Sequence, residues 1–570
     1  MPALLGIAIP TAAQLDHTTN LPLDHWGYGL IERLEVRGLL SGVGDGIKPL
    51  TRGEVRSLLE GLSGDVPMTA IDSDQVRELL DQVTDAAEAT GVAAPRSGAA
   101  LARYNTPRGQ LFADLLFRQQ TDVFGGRQRD KSERILRNRG GIMMRGRVGD
   151  RLGFRFAFEQ TREQGTRDYL RREHVFERRL EVPQLKEDFA DYHQGSAYVV
   201  LSLPPYLDID IGKDQASWGP APADNLGLTG NAPGFDMVRV RSRFGALKLV
   251  HITGALRTCP DRPDSPICTG EADSSASYIV NNITRNLDRE KYLAGHRLEA
   301  AVSSWLDVGF QELVVYGDRG PELSYLNPFM FYWAAQSYLG DKDNLMMALD
   351  LDVHPGNGFR WYATYAVDDL KKLKIFSDDF ANKFSLQTGL LWVDPLSLGD
   401  LDLRAEYVHI EPWIYTHKFP INTFRHFDSP LGNSLGPNSD RWTLALEKRW
   451  TARASTSLSL RRSRHGDNVV QADGSILNVG GDLHRGWRPG DERGNKDFLD
   501  GRVATRTEIV GQLQWRPWPR LHLKVGGAIE RGDDVPLPPN WGQFVPPHLR
   551  TGFGDGRQQH LFVDLRYGYY

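Results

Sequence analysis

The 570-residue sequence has two cysteines, no excess of charge of either sign and no run of about 18 apolar residues. The scarcity of cysteine excludes a disulfide-dense scaffold and a thiolate-rich metal domain. The missing apolar run excludes a helical membrane span. With 68 basic and 73 acidic side chains the net charge is −5, so there is no polycation and nucleic acid is not an expected partner. No GxSxG nucleophile elbow, P-loop or dinucleotide fingerprint occurs. A non-enzymatic protein without cofactors is therefore expected. Disorder is excluded by a hydrophobic content of 40% spread evenly along the chain. A large soluble protein and a β-barrel both survive, because a barrel's membrane signal is weak per segment and vanishes in average hydropathy.

The two cysteines, Cys259 and Cys268, share the stretch TCPDRPDSPICTG, where a loop disulfide is the expectation. At the N-terminus Ala3 to Ile9 are apolar, and Pro10-Thr11-Ala12-Ala13 supplies small residues of the kind a signal peptidase accepts. Residues 1–14 thus look like a truncated signal peptide lacking its basic start, with an ordinary apolar N-terminus as the alternative.

The next segment reads as helical. Trp26, Leu30, Ile31, Leu34 and Leu39 recur at helical spacing, and Gly38 fits the end of that helix. Thr51 heads a capping box with Glu54. A third helix begins near Asp72–Asp74 and carries Val76, Leu79, Leu80 and Val83. A small-residue linker, Ala89 to Ala100, follows. Residues 15–100 are read as a periplasmic helical domain with its linker, and residues 101–570 as a second unit.

From about residue 105 the period falls from 3.6 to 2. Leu152, Phe154, Phe156 and Phe158 alternate with Gly153, Arg155, Ala157 and Glu159, and Leu345 to Val353 and Phe359 to Val367 behave alike. A soluble sheet could show such faces, but the connections decide. Tight turns near 149–151, 204–205, 354–358 and 516–519 alternate with long stretches such as 161–195, 214–235, 411–440 and 463–504. Outer-membrane barrels alternate short periplasmic turns with long external loops in this way. The fold class expected is an all-β transmembrane barrel of about eighteen antiparallel strands in a Gram-negative-type outer membrane. Trp518 between two prolines suits an interfacial aromatic girdle. The terminal strand, Leu561 to Tyr569, resembles the signal read by the barrel assembly machinery, and an even strand number puts the helices on the periplasmic side.

Several motifs resemble the Wzi capsule-assembly family. In residues 209–240 the match is carried by Trp218, Gly219, Pro220, Asn225, Leu226, Leu228, Asn231, Ala232 and Pro233, with Ala221 in place of the usual second glycine. LSYLNPFMFY at 323–332, MALDLDVHP at 347–355 and WYATYAVDDLK at 361–371 are similar to later family segments, and residues 31–59 to its helical region. The resemblance implies a barrel blocked by its own helices and loops, acting as a surface lectin that retains capsular polysaccharide. Trp26, Gly38, Pro49 and the TRGE at 51–54 also resemble an S-layer homology module, which would add peptidoglycan to the partners. The alternative function is a sugar or ion channel anchored through that module.

Asp350, Asp352 and His354 form D-x-D-x-H, which on one strand face could bind metal; a polar lumen-facing row fits better, so no metal site is expected. His409 and Glu411 lack the helical HExxH arrangement, and Asp368 and Asp369, adjacent on a strand, point apart. Lumen-facing arginines, including Arg239, Arg360, Arg404 and Arg449, stand among Asp210, Asp352, Asp402 and Glu447. They form either an ion-selective eyelet or a salt-bridged wall, and their balanced signs favour the wall. Polysaccharide recognition needs flat aromatic faces beside planar hydrogen-bonding groups. Trp218, Asn225, Tyr325, Asn327, Tyr332, Trp413, Tyr415 and Trp487 are the candidates, with loop packing as the competing role for each. Expected partners are thus outer-membrane lipid, a surface polysaccharide, the assembly machinery and, through the module, peptidoglycan.

Overall fold

The computed structural model describes residues 19–64, 66–84, 91–93, 100–126, 133–149, 151–165, 184–185, 189–203, 206–258, 274–280, 283–369, 377–427, 429–491, 494–533 and 556–569. The expected signal segment and both cysteines lie outside these residues.

Among the described residues, eighteen antiparallel strands close into a barrel. They are β1 (Gly109–Gly126), β2 (Glu133–Val148), β3 (Leu152–Gly165), β4 (Phe189–Leu203), β5 (Leu207–Asp214), β6 (Phe235–Phe244), β7 (Leu247–Leu256), β8 (Lys291–Ser303) and β9 (Leu306–Gly317). The ring continues through β10 (Asn344–Val353), β11 (Phe359–Asp369), β12 (Lys383–Val393), β13 (Leu401–Ile410), β14 (Ser439–Thr451), β15 (Ala454–Asp467), β16 (Arg502–Trp518), β17 (Leu521–Asp533) and β18 (Gly556–Tyr567). Closure comes from β18 pairing with β1, from Tyr567 opposite Phe117 to Gln558 opposite Gly126, which leaves no free sheet edge in the ring. Turns at one end are short. Residues 245–246 suffice between β6 and β7, where Gly245 takes a φ of 62°.

The strand alternation sorts the two faces. Leu349 is 50% exposed while Asp350 beside it is 2% exposed. Leu115, Phe158, Ile211, Leu298, Leu444, Ile509 and Leu561 continue the exposed apolar belt. Tyr206, Phe244, Trp305, Phe359, Trp450 and Trp518 line its short-turn rim, as an aromatic girdle does. Such a belt is stable only against lipid, so the barrel spans an outer membrane. No helix among the described residues is long and apolar enough to cross a membrane.

Three helices, α1 (Gly27–Val36), α2 (Arg52–Glu60) and α3 (Ala70–Val83), sit at the short-turn end. Gly38 (φ 77°) follows α1, and α2 has the capping box, with the Glu54 amide donating to Thr51 and the Thr51 amide to the Glu54 carboxylate. Helix α3 starts earlier than the sequence suggested, because Thr69 caps it through the Asp72 amide. Leu30, Ile31, Leu34, Val55, Leu59, Val76, Leu79 and Val83 form the shared core of these helices.

Candidate functional site

The interior face of α1 carries Glu32, Arg33 and Glu35, and all three are buried against the barrel wall. Glu32 accepts from Arg404 at 2.7 and 3.1 Å and from Arg360 at 2.5 Å. Burial raises the Glu32 pKa, but the two guanidinium groups outweigh it and hold the carboxyl below its usual range. Arg33 donates to Asp72 at 3.1 Å, to Asp394 at 2.7 Å and to Asp402. Asp72 also accepts from Arg449 at 2.8 Å, and these cations likewise hold it low against burial. Farther round the wall, Arg239 reaches Asp210 at 2.6 Å and Asp214 at 2.7 Å. Arg461 lies 3.4 Å from Glu508. Arg360, Arg404 and Arg449 thus grip the helical plug, while Arg239 and Arg461 pair within the wall.

The segment between β5 and β6, residues 215–234, descends into the lumen from the long-loop end. There it meets the N-terminal segment: Ile47 pairs with Trp218 and Lys48 with Ser217, and the Gly219 amide donates to the Gly46 carbonyl at 2.9 Å. Trp218 is fully buried, and a Cβ on Gly295 would come within 3.1 Å of its ring. Asn225 is buried too, donating to Ser217 at 3.1 Å and accepting from the Ala221 amide at 3.1 Å. The Tyr415 hydroxyl donates to the Leu226 carbonyl at 2.7 Å and accepts from the Asn433 amide at 3.1 Å. Two chain segments from opposite ends therefore join across the lumen. Among the described residues, cavities remain beside the plug. One of about 670 Å³ is lined by Trp26, Arg404, Arg449 and Arg516, and another of about 520 Å³ by Arg118, Arg155 and Tyr198.

The candidates between β9 and β10 sit elsewhere. Helices α4 (Leu323–Leu326) and α5 (Tyr332–Leu339) pack on Ala294, Val314, Tyr316 and Leu345, which point away from the lumen. This hairpin covers Glu312, an outward carboxylate that accepts from the Tyr332 amide at 2.9 Å and the Trp333 amide at 3.2 Å. His296 lies 3.0 Å from the same group. Without that cover a charge would face lipid. Tyr325 and Tyr332 are buried in the contact, with Tyr325 donating to Asp343 at 2.7 Å. Asn327 is exposed, as are Leu323, Phe329, Phe331, Trp333 and Tyr338 on the outer side of the hairpin.

At the long-loop mouth Trp413 is buried under Phe380, edge to face at 5.4 Å. Trp487 remains half-exposed. Gly486 lies so close to the His417 carbonyl that a Cβ there would meet it at 1.9 Å, and the Trp487 ring that follows it stands edge-on to Phe380 at 6.3 Å. The His417 and Phe419 rings are 5.5 Å apart, and Phe419 is exposed. Burial and the neighbouring lysines 418 and 383 push the His417 imidazole down to about 4, so it is neutral at pH 7. Phe419 was not a sequence candidate; its place in the aromatic run HKF was the available signal.

The remaining polar motifs resolve locally. Asp350 is engaged by Arg297 and Asp352 by Arg360, at 2.8 Å through Nε of the latter. His354 turns away from both, toward Glu35 and Asp307. His409 lies 2.9 Å from Glu411, which also pairs with Lys496. Asp368 accepts from the Tyr415 amide at 3.0 Å, whereas Asp369 lies 3.4 Å from Lys383.

Comparison with known proteins follows this geometry. The family model for capsule assembly protein Wzi matches residues 137–532. Among solved structures, Wzi of Escherichia coli, an outer membrane carbohydrate-binding β-barrel involved in group 1 capsule assembly, is similar at 12% identity. The match covers 96% of this chain and 99% of that one, with a TM-score of 0.54. OprD of Pseudomonas aeruginosa is 11% identical over 80% of this chain and 92% of its own, with a TM-score of 0.41. No curated protein matches by sequence. The S-layer resemblance of the N-terminal segment is not borne out: Trp26 donates to Gln82 at 3.2 Å and Thr51 caps α2, so both serve the plug. With the family model covering more than half of its length and the closed barrel agreeing, the chain belongs to the Wzi capsule assembly family.

Proposed function

We propose that this protein binds a surface polysaccharide on the outside of the outer membrane and helps to retain or assemble it there, without catalysing a reaction on it. The observation that carries this reading is the junction of residues 46–48 with residues 217–219 across the lumen. A lumen occupied by the helices and crossed by this junction leaves the long external loops as the working surface, and the family membership and the carbohydrate binding of the E. coli relative support the same role. On the long-loop rim, half-exposed Trp487 and exposed Phe419 supply flat rings for sugar C–H groups, and His417 beside Phe419 supplies a neutral imidazole for its hydroxyls. Of the sequence candidates, Trp487 and Asn327 offer accessible side chains to a sugar, while Trp218, Asn225, Tyr325, Tyr332, Trp413 and Tyr415 hold the loops that present them. Outer-membrane lipid around the belt and the barrel assembly machinery during insertion complete the partners of this reading.

The test is the ratio of cell-bound to released polysaccharide in a strain lacking the gene, with total production recorded. Normal production with shedding into the medium is expected. An unchanged ratio removes the retention role and brings the alternative channel reading forward.

A further inference from the structure

Glu35 on α1, Asp307 at the start of β9 and His354 just after β10 converge where the plug meets the short-turn end of the wall. All three are buried. Their ligand atoms lie within 4.8 Å of one another, with His354 Nε2 3.5 Å from Asp307 Oδ2 and 3.8 Å from Glu35 Oε1. Those separations exceed the roughly 2.7–3.2 Å of an N–H···O bond. Neither nitrogen of His354 has a hydrogen-bond partner, and Glu35 Oε1 and Asp307 Oδ1 also have none. Four orphaned polar atoms in one buried cluster require an explanation, and a bound ion is one that satisfies several at once.

The spacing fits such an ion. Two ligands on a tetrahedral zinc, each about 2.1 Å from it, stand about 3.4 Å apart. One imidazole and two carboxylates also suit a divalent first-row metal by donor type, and their two negative charges balance its charge. The cations nearby are committed: Arg360 to Asp352 and Glu32, and Lys48 to Asp45 at 3.6 Å. The ligands are held by backbone as well. The Gly358 amide donates to the Val36 carbonyl at 3.0 Å, next to Glu35, and the His354 amide donates to the Trp305 carbonyl at 2.9 Å. We propose that Glu35, Asp307 and His354 form a site for a divalent transition-metal ion of the zinc class, which clasps the plug helix to the barrel wall. This site is separate from the external rim and does not depend on polysaccharide binding.

The test uses untagged full-length protein, stripped with EDTA and titrated with zinc chloride, with bound metal counted by mass spectrometry. One zinc per chain is expected for the wild type, without competition from magnesium. His354→Ala is expected to weaken it by more than about 100-fold, since losing a mere supporting group already costs 10–100-fold, and Glu35→Gln to weaken it less. Wild-type protein without stoichiometric zinc, or a folded His354→Ala that binds equally well, overturns the site. Should the variant fail to fold, the cobalt-loaded wild type decides: visible bands of a tetrahedral ion support the site, and a water-dominated octahedral spectrum rejects it.

Discussion

Glu32 on the first helix and Arg404 on β13 face each other through two hydrogen bonds of 2.7 and 3.1 Å, although 372 residues separate them. Arg360 joins the same carboxylate. Glu32→Ala would leave two guanidinium groups facing the plug without their shared counter-charge. Breaking one side of a buried pair costs on the order of 3–5 kcal/mol. We expect the helical segment to become protease-sensitive while the barrel stays folded. Wild-type resistance of the segment in Glu32→Ala would show that the Glu32 pairs are dispensable for holding the plug.

Acid should act on the same contact. Glu32 and Asp72 are both held below their ordinary values of 4.5 and 3.8 by arginines. A carboxylate with a lowered folded pKa contributes stability that is present above the unfolded value and lost as pH falls through the folded one. Plug docking is therefore expected to persist down to about pH 4.5 and to fail below it. Limited proteolysis across an acid series reads this directly; loss of docking already near pH 6 would contradict it.

How much of this was visible beforehand depends on the range of the interaction. The alternation of Leu349 with Asp350 and the Thr51–Glu54 capping box are set by neighbours in the chain, and both were legible. The destination of a loop is not local. Nothing near Trp218 announces that it will pair with Ile47 inside the lumen, and nothing near Tyr332 announces that its amide will cap an outward Glu312. His354 stood out through D-x-D-x-H, yet its neighbours in space are Glu35 and Asp307, and only the closed barrel brings them together.

The outer hairpin gives a third prediction. Phe329 is 82% exposed and lies on the face that the hairpin turns away from the wall. A photo-crosslinking phenylalanine analogue placed at this position should label lipid in native membranes. Labelling of polysaccharide instead would put Phe329 itself in the sugar surface, together with Asn327 two residues away.

Planar bilayers test the seal. With residues 46–48 joined to 217–219, the wild-type protein should show no steady openings. Trp218→Ala removes a fully buried indole beside Gly295, a change that costs about 3–5 kcal/mol. Intermittent openings are expected from it. Large steady conductance from the wild type would mean that the junction does not close the path.

The rim makes the sharpest functional prediction. Trp487 is half-exposed and its ring stands edge-on to Phe380 at 6.3 Å, so it is positioned without being buried. Trp487→Ala should leave the barrel's melting temperature unchanged and weaken binding of the cell's own polysaccharide about tenfold, the equivalent of roughly 1.4 kcal/mol. Trp413→Ala, by contrast, empties a buried site under Phe380 and should lower stability first, with any loss of binding following from disordered loops. The two tryptophans thus separate contact from support. Glycan binding that survives Trp487→Ala and Phe419→Ala together would place the sugar away from this rim, whatever the retention assay shows.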